Sequence, residues 1–189
     1  MMHERVFAPL GLKSAGLGCQ SSLGKVDAPL GHKIVQGKTK AFLAGPGGDS
    51  PLVLGPAGIA HLSVLDFAKW AGWNAGQGKR GPKLVRAETW KTLHAMVVSD
   101  LPMKERRTGT PTKGKYGLGW GEVEVKWSDT PVLFHGGSNT MNLAHVWVAP
   151  KQDFALVLMT NVGGEKAEDA LFQAAAQIAA KHAGPKRQK

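Results

Sequence analysis

The chain has 189 residues, of which 42% are hydrophobic, enough for a domain with a buried core. Its 24 Lys and Arg residues outnumber 14 Asp and Glu, giving a net charge of +10, but the basic residues are scattered or gathered in loops and the C-terminal tail. No predicted helix carries a basic face interleaved with aromatics, which argues against a nucleic-acid partner. No apolar run approaches the roughly 20 residues of a membrane span.

Cysteine usage and the N-terminus are less informative. Cys19 is the single cysteine, so an intrachain disulfide is excluded. The first residues, MMHERVFAPLG, lack the apolar run that is typical of a signal peptide.

The first half of the chain predicts helices separated by long loops. Residues 1–7 predict the end of a helix, because Ala8 precedes proline and such residues avoid the helical region. Residues 11–60, rich in Gly, Pro and Ser, predict a long irregular excursion. Ser63 and Asp66 form a capping box that begins a helix, and Gly76 ends it.

A second short helix is predicted over residues 87–97, with Trp90, Leu93 and Val97 on one side. Polar residues 99–115 predict a linker or surface loop.

From Tyr116 onward the chain predicts an antiparallel sheet followed by a helix. Two strands flank the turn at residues 150–153, an arrangement typical of a hairpin. The continuous apolar run from Phe154 to Met159 predicts a central strand covered on both faces. The last predicted element is a helix, because its apolar residues recur at helical spacing. The predicted strands are 116–127, 132–134, 141–149 and 154–160, and the helix is 165–182 with Leu171, Ala174, Ala175 and Ile178 toward the core.

This order predicts an α+β fold. We assign residues 1–115 to part of a helical subdomain with long loops, and residues 116–189 to the antiparallel sheet and C-terminal helix of an α/β subdomain.

The most informative motif is Phe-His-Gly-Gly-Ser-Asn-Thr-Met-Asn at residues 134–142. Glycines at the end of a strand allow a ligand to approach the backbone closely. The ring of His135 and a free backbone N–H beside it are suited to binding a carboxylate or a developing oxyanion. Without further context, His135 is also compatible with a histidine at a strand end that has no chemical role.

Six segments in order resemble the β-lactamase-related serine hydrolases, which include class C β-lactamases, DD-peptidases and esterases. The His-Gly-Gly stretch resembles the Lys/His-x-Gly motif that lies on an edge strand of that family, and the likeness spans nearly the whole chain. The segments are 6–12 (VFAPLGL), 29–32 (PLGH), 55–69 (GPAG to the Asp-Phe-Ala-Lys run), 116–120 (YGLGW), 135–137 (HGG) and 160–161 (TN).

The resemblance also implies a Ser-x-x-Lys nucleophile motif and a Tyr-x-Asn motif, and we find neither as a functional motif in this sequence. Ser22-Leu23-Gly24-Lys25 matches Ser-x-x-Lys in letters, but glycines and prolines around it predict a loop, whereas the motif requires a helical turn. Arg107-Thr108-Gly109 resembles the Lys-Thr-Gly form of the third motif in letters, but it lies in a charged loop without the pattern of a strand. Tyr116 is followed by Gly-Leu, and we expect it to pack beside Trp120. His145 is interpreted as a structural histidine.

The resemblance therefore predicts a partial serine β-lactamase-like fold: the C-terminal portion of a hydrolase that cleaves a β-lactam, a D-Ala-D-Ala peptide or an ester through an acyl-enzyme. His135, Gly136, Gly137 and Ser138 are its candidate site residues. Alone, the chain is expected to be inactive. A non-catalytic remnant or binding module, and one half of a split enzyme, remain alternatives. No cofactor is expected, and no His/Cys/Asp/Glu spacing resembles a zinc site.

The resemblance also implies that the strand at residues 154–160 normally pairs with a strand from an N-terminal part. We therefore expect it to be paired on one side only here, with poor solubility or self-association through its free edge.

Overall fold

The computed structural model describes residues 1–45, 47–104 and 111–183. A π-helical turn at His3–Phe7 opens the chain, and 3₁₀ turns occupy Leu52–Leu54 and Pro150–Gln152. In chain order the strands and helices are β1 (Gly16–Leu17), β2 (Gly31–Val35), β3 (Lys38–Phe42), β4 (Ala60–His61), α1 (Val64–Ala75), α2 (Thr89–Leu93), β5 (Met96–Lys104), β6 (Pro111–Gly117), β7 (Gly121–Val123), β8 (Val132–Ser138), β9 (Leu143–Ala149), β10 (Phe154–Thr160) and α3 (Glu165–His182).

A six-stranded antiparallel sheet in the order β10-β9-β8-β7-β6-β5 organises the molecule. Alternating side chains along β8 and β9 supply two cores, one on each face. Val132, Trp147 and Leu156 pack under α3, while Leu133 and Val148 pack under α1. The fold is therefore α+β, with α1 and α3 on opposite faces of one antiparallel sheet, and it is consistent with the partial β-lactamase-like fold that the resemblance implies.

Helix α1 begins after Ser63, as predicted, but only the Ser63 half of the capping box forms, because the Ser63 N–H donates to the Ser14 hydroxyl instead of the Asp66 carboxylate. Ser63 is the N-cap, and its hydroxyl accepts a hydrogen bond from the Asp66 N–H at 3.3 Å. The buried Asp66 carboxylate binds the Lys69 ammonium at 2.7 Å and the Ser14 hydroxyl at 2.6 Å. The Lys69 ammonium, followed by the Ser14 hydroxyl and N–H, lowers the pKa of Asp66 to about 2. This network ties the first loop of the chain to α1.

Two predictions about the middle of the chain are wrong. The second helix ends at Leu93, and Val97 is exposed on β5 rather than packed beside Trp90. The predicted linker over residues 99–115 instead supplies most of β5 and the start of β6, which pair with each other. The subdomain boundary at residue 116 stays a prediction, although both of these strands begin before it.

The excursion over residues 11–60 contains a hairpin that the sequence analysis missed. Strands β2 and β3 pair across the two-residue turn Gln36-Gly37, in which both residues have positive φ, 49° and 75°. A second short pairing joins β1 to β4.

Strand β10 has the predicted bounds but lies at the edge of the sheet, so the prediction of a central strand is wrong. It pairs with β9 along its whole length, and no other strand in the described part of the chain pairs with it. Both faces are covered, by α1 and by α3. The expected one-sided pairing is confirmed. Within the same residues, no helix combines the length and the apolarity needed to cross a membrane.

Candidate functional site

Strand β8 brings the four predicted site residues into one stretch that is paired on one side. Residues 132–134 pair with β7, whereas His135 to Ser138 pair only with β9 among the described strands. Because backbone groups alternate in direction along an antiparallel strand, two of these four residues direct N–H and C=O groups away from β9. All four are exposed to solvent. Half of β8 is thus an open strand edge, accessible to an extended ligand.

His135 lies on the face of the sheet that α1 covers further along. It pairs with the buried Val146 of β9, and its neighbour Leu133 belongs to the core under α1. The imidazole itself lies beyond that core and is exposed. Partial burial against the sheet lowers the pKa of His135, which favours the neutral ring. A neutral imidazole can donate one hydrogen bond and accept another.

Tyr116 is the aromatic neighbour of His135, with ring centroids 6.4 Å apart. The prediction that Tyr116 packs beside Trp120 is wrong. Among the aromatic rings of the described residues, the Tyr116 ring contacts only the His135 ring, while Trp120 stacks on Trp70 with ring centroids 5.5 Å apart. Tyr116 keeps 38% of its surface exposed. The phenol is therefore a further polar group near the imidazole, which sequence reasoning did not assign to the site.

The two glycines of the motif have different surroundings. A Cβ on Gly136 would stand 3.0 Å from Cδ2 of the His145 ring, which is buried on the α3 side of the sheet. A Cβ on Gly137 would meet only the Ala144 carbonyl oxygen, at 3.9 Å. A side chain at position 136 would therefore force the His145 ring to shift by a few tenths of an ångström, whereas Gly137 leaves the His135 face clear.

His145 is a core residue, as the sequence analysis predicts. It is 2% exposed and lies among the rings of Phe134, Trp147 and Phe172, with its Nε2 atom 3.8 Å from Glu168 of α3. This cluster fixes the underside of β8.

Asn139 fixes the turn that follows Ser138, and sequence reasoning did not single it out. Its side-chain oxygen accepts hydrogen bonds from the N–H groups of Met141 and Asn142 at 3.1 and 2.8 Å, while its amide donates to Asp49 at 2.8 Å. The Ser138 hydroxyl accepts the Thr140 N–H at 2.9 Å. The local bonds fix the turn that ends β8, and the bond to Asp49 ties this turn to a loop far away in the chain.

The loop that contains Pro29 to His32 packs against the same end of the sheet. The His32 ring donates to the carbonyl of Asn161 at 2.9 Å, and the Asn161 amide donates to the carbonyl of Leu30 at 3.0 Å. A Cβ on Gly31 would stand 2.7 Å from the Met141 side chain, so this approach requires glycine. Two of the family-like segments therefore have a structural role here.

The Ser22–Lys25 sequence forms a turn and not a helix, as predicted. The Lys25 N–H donates to the Ser22 carbonyl at 3.0 Å, and the Ser22 N–H donates to the Asp27 carboxylate at 2.8 Å. Arg107-Thr108-Gly109 lies outside the described residues. Within them, no group of three His, Cys, Asp or Glu side chains is arranged to hold a metal ion.

Comparison with known proteins agrees with this geometry. The family model described as Beta-lactamase matches residues 1–180. The octameric penicillin-binding protein homologue from Pyrococcus abyssi is 18% identical, with a TM-score of 0.66 over 94% of this chain and 36% of that one. A structure described as SurE is also 18% identical, with a TM-score of 0.67 over 97% of this chain and 40% of that one. The chain thus spans well under half the length of either protein. No curated protein matches it.

Proposed function

Because this chain belongs to the beta-lactamase family, we propose that it forms the C-terminal part of a serine hydrolase that cleaves an amide or an ester through an acyl-enzyme. The observation that supports this most is the open half of β8, where His135 to Ser138 lack a strand partner on one side among the described residues. A β-lactam, a D-Ala-D-Ala peptide and a simple ester all fit the proposal.

In this proposal each residue of the motif has a distinct role. His135 hydrogen-bonds the substrate carboxylate or the hydroxyl groups of the complete site, and its lowered pKa favours a neutral ring near pH 7. The Ser138 N–H is one oxyanion donor, which is useful only if the strand edge stays unpaired. Gly137 leaves the His135 face of the strand accessible to a substrate, while Gly136 allows β8 to lie against the His145 ring.

The nucleophile and its base come from outside this sequence. A serine is a weak nucleophile until a neighbouring base accepts its proton, and the family places that base one helical turn away. Ser22 and Lys25 occupy a turn in which the Ser22 backbone groups are already engaged. We therefore propose that the chain alone is inactive.

We further propose that the free edge of β10 mediates association, either with the remaining part of the enzyme or with a second copy. The edge runs for seven residues, Phe154–Thr160, without a charge or a proline to block pairing. The homologue from Pyrococcus abyssi is described as octameric.

Reading the DNA upstream of Met1 tests the proposal. An in-frame segment that encodes Ser-x-x-Lys and Tyr-x-Asn would support one continuous hydrolase, and a separate upstream reading frame with both motifs would support a split enzyme. The absence of both motifs would contradict a hydrolase and favour the alternative, a non-catalytic remnant or binding module.

A further inference from the structure

A cleft of about 490 Å³ lies between the loop around Cys19 and the loop around Asp49, outside the site on β8. This volume lies in the range of clefts that bind small organic molecules. Apolar side chains form much of the wall, among them Leu23, Ala44 and Leu52. Leu23 and Leu52 are 76% and 78% exposed without a ligand. An apolar ligand that covers them would therefore remove apolar surface from water.

Ser21 gives the cleft one polar group. It lines the wall and is only 8% exposed, yet its hydroxyl makes no hydrogen bond with any described residue. The hydroxyl is therefore available to a bound molecule.

Asp49 gives the cleft a second polar group. Its Oδ1 atom accepts hydrogen bonds from the Ser50 N–H and the Asn139 amide, both at 2.8 Å, whereas Oδ2 accepts none from the described part of the chain. A carboxylate with a free oxygen attracts a hydrogen-bond donor and repels an anion.

We propose that this cleft binds a small uncharged molecule with an apolar body and a hydroxyl group. The body would cover Leu23 and Leu52, while the hydroxyl would hydrogen-bond Ser21 and Asp49. Because Asp49 also holds Asn139, the cleft adjoins the turn that ends β8. The proposal does not depend on hydrolase activity.

Cys19 serves as the reporter, because it lines the cleft and is the only cysteine. The alkylation of Cys19 by iodoacetamide is followed by intact-mass spectrometry at increasing concentrations of benzyl alcohol. We expect saturable protection. Ser21→Ala should raise the half-protecting concentration about fivefold, the scale of one net hydrogen bond. The control Ser22→Ala, at an exposed neighbour that does not line the cleft, should leave it unchanged.

Several results would overturn the proposal. A labelling rate that is unchanged, increased or lowered without saturation would mean that the cleft holds only water. An equal change in the half-protecting concentration for Ser21→Ala and Ser22→Ala would show that Ser21 does not contact the ligand. Equal protection by benzoate would exclude the role of Asp49 in selecting an uncharged ligand. None of these measurements requires turnover, so their failure is distinct from failure of the proposed hydrolase function.

Discussion

Gly136 of β8 lies directly against the ring of His145 on β9, and a Cβ at Gly136 would stand 3.0 Å from the Cδ2 atom of that ring. The ring cannot move away easily, because it is 2% exposed and enclosed by other aromatic side chains. Gly137, one residue on, has no such neighbour. Packing therefore explains one glycine of the motif and does not explain the other.

The first prediction compares these two glycines. Gly136→Ala should lower the free energy of unfolding by about 1–3 kcal/mol, the usual cost of overpacking a core. Gly137→Ala, the matched control, should cost less than about 1 kcal/mol, because its Cβ enters open space. Urea unfolding followed by tryptophan fluorescence measures both. Equal losses would show that His145 does not constrain the strand.

The second prediction concerns the Asp66 network. Asp66→Asn removes an acceptor for Lys69 and Ser14, and we expect a loss of about 1–2 kcal/mol at pH 7. Asp153→Asn, at an exposed pair with Arg80, should cost little. Urea unfolding reports both changes.

The pH dependence of the Asp66 effect has a definite sign. The folded-state pKa of about 2 lies below the ordinary value of 3.8, so the charged form is the stabilised one. The difference in unfolding free energy between the wild type and Asp66→Asn should be constant above about pH 5 and shrink as the pH falls toward 2. A difference that grows in acid would contradict the network.

The third prediction concerns His135 in the complete enzyme. His135→Ala should lower activity by about 10²-fold or more, the scale of one positioned electrostatic or proton-transfer group. His182→Ala, at an exposed residue ending α3, should have no effect. An effect of His135→Ala below about threefold would assign His135 a structural role only.

The pH profile of the complete enzyme should show the protonation of His135. Partial burial lowers the pKa of His135 from 6.5, so the ring stays neutral at pH values where a free imidazole is protonated. Activity that needs the neutral ring should fall only as the pH drops through this lowered pKa. The His135→Ala variant should lose that acidic limb, and its persistence would exclude His135 as the titrating group.

The fourth prediction concerns the free edge of β10. The isolated chain should sediment as a dimer or larger species, and Met159→Lys should shift it toward monomer, because a charged side chain on an edge strand opposes pairing. Val97→Lys is the control, since Val97 lies on β5 at the opposite edge. A monomeric wild-type chain in sedimentation velocity would contradict the association.

Local signals account for the parts of the fold that could be predicted from the sequence. The strand Phe154–Thr160 and the helix Glu165–His182 have the predicted bounds, because each carries an uninterrupted pattern between clear ends. The Ser63 cap is a hydrogen bond between residues that are three apart in the sequence, so a short motif is enough to predict it. The position of β10 in the sheet depends on distant partners and could not be read from its own apolar residues.

The failures have equally physical causes. Strands β5 and β6 carry Ser, Lys, Thr and Pro and remain largely exposed, so neither shows the alternation of a strand with one buried face. The pairing of β2 with β3 had a signal in the Gln36-Gly37 turn, which the sequence analysis overlooked. At the site, the motif located β8, but the positions of Tyr116 and Asp49 beside it depend on contacts between residues far apart in the chain.

The most direct measurement is covalent labelling with a fluorescent penicillin and a fluorophosphonate, resolved on a gel and located by peptide mass spectrometry. The chain alone should take up neither reagent and should not hydrolyse nitrocefin. Co-expressed with the segment that carries Ser-x-x-Lys and Tyr-x-Asn, it should support labelling of that segment's serine, and His135→Ala should abolish most of it. Stoichiometric labelling of the chain alone, lost in Ser22→Ala, would contradict the account.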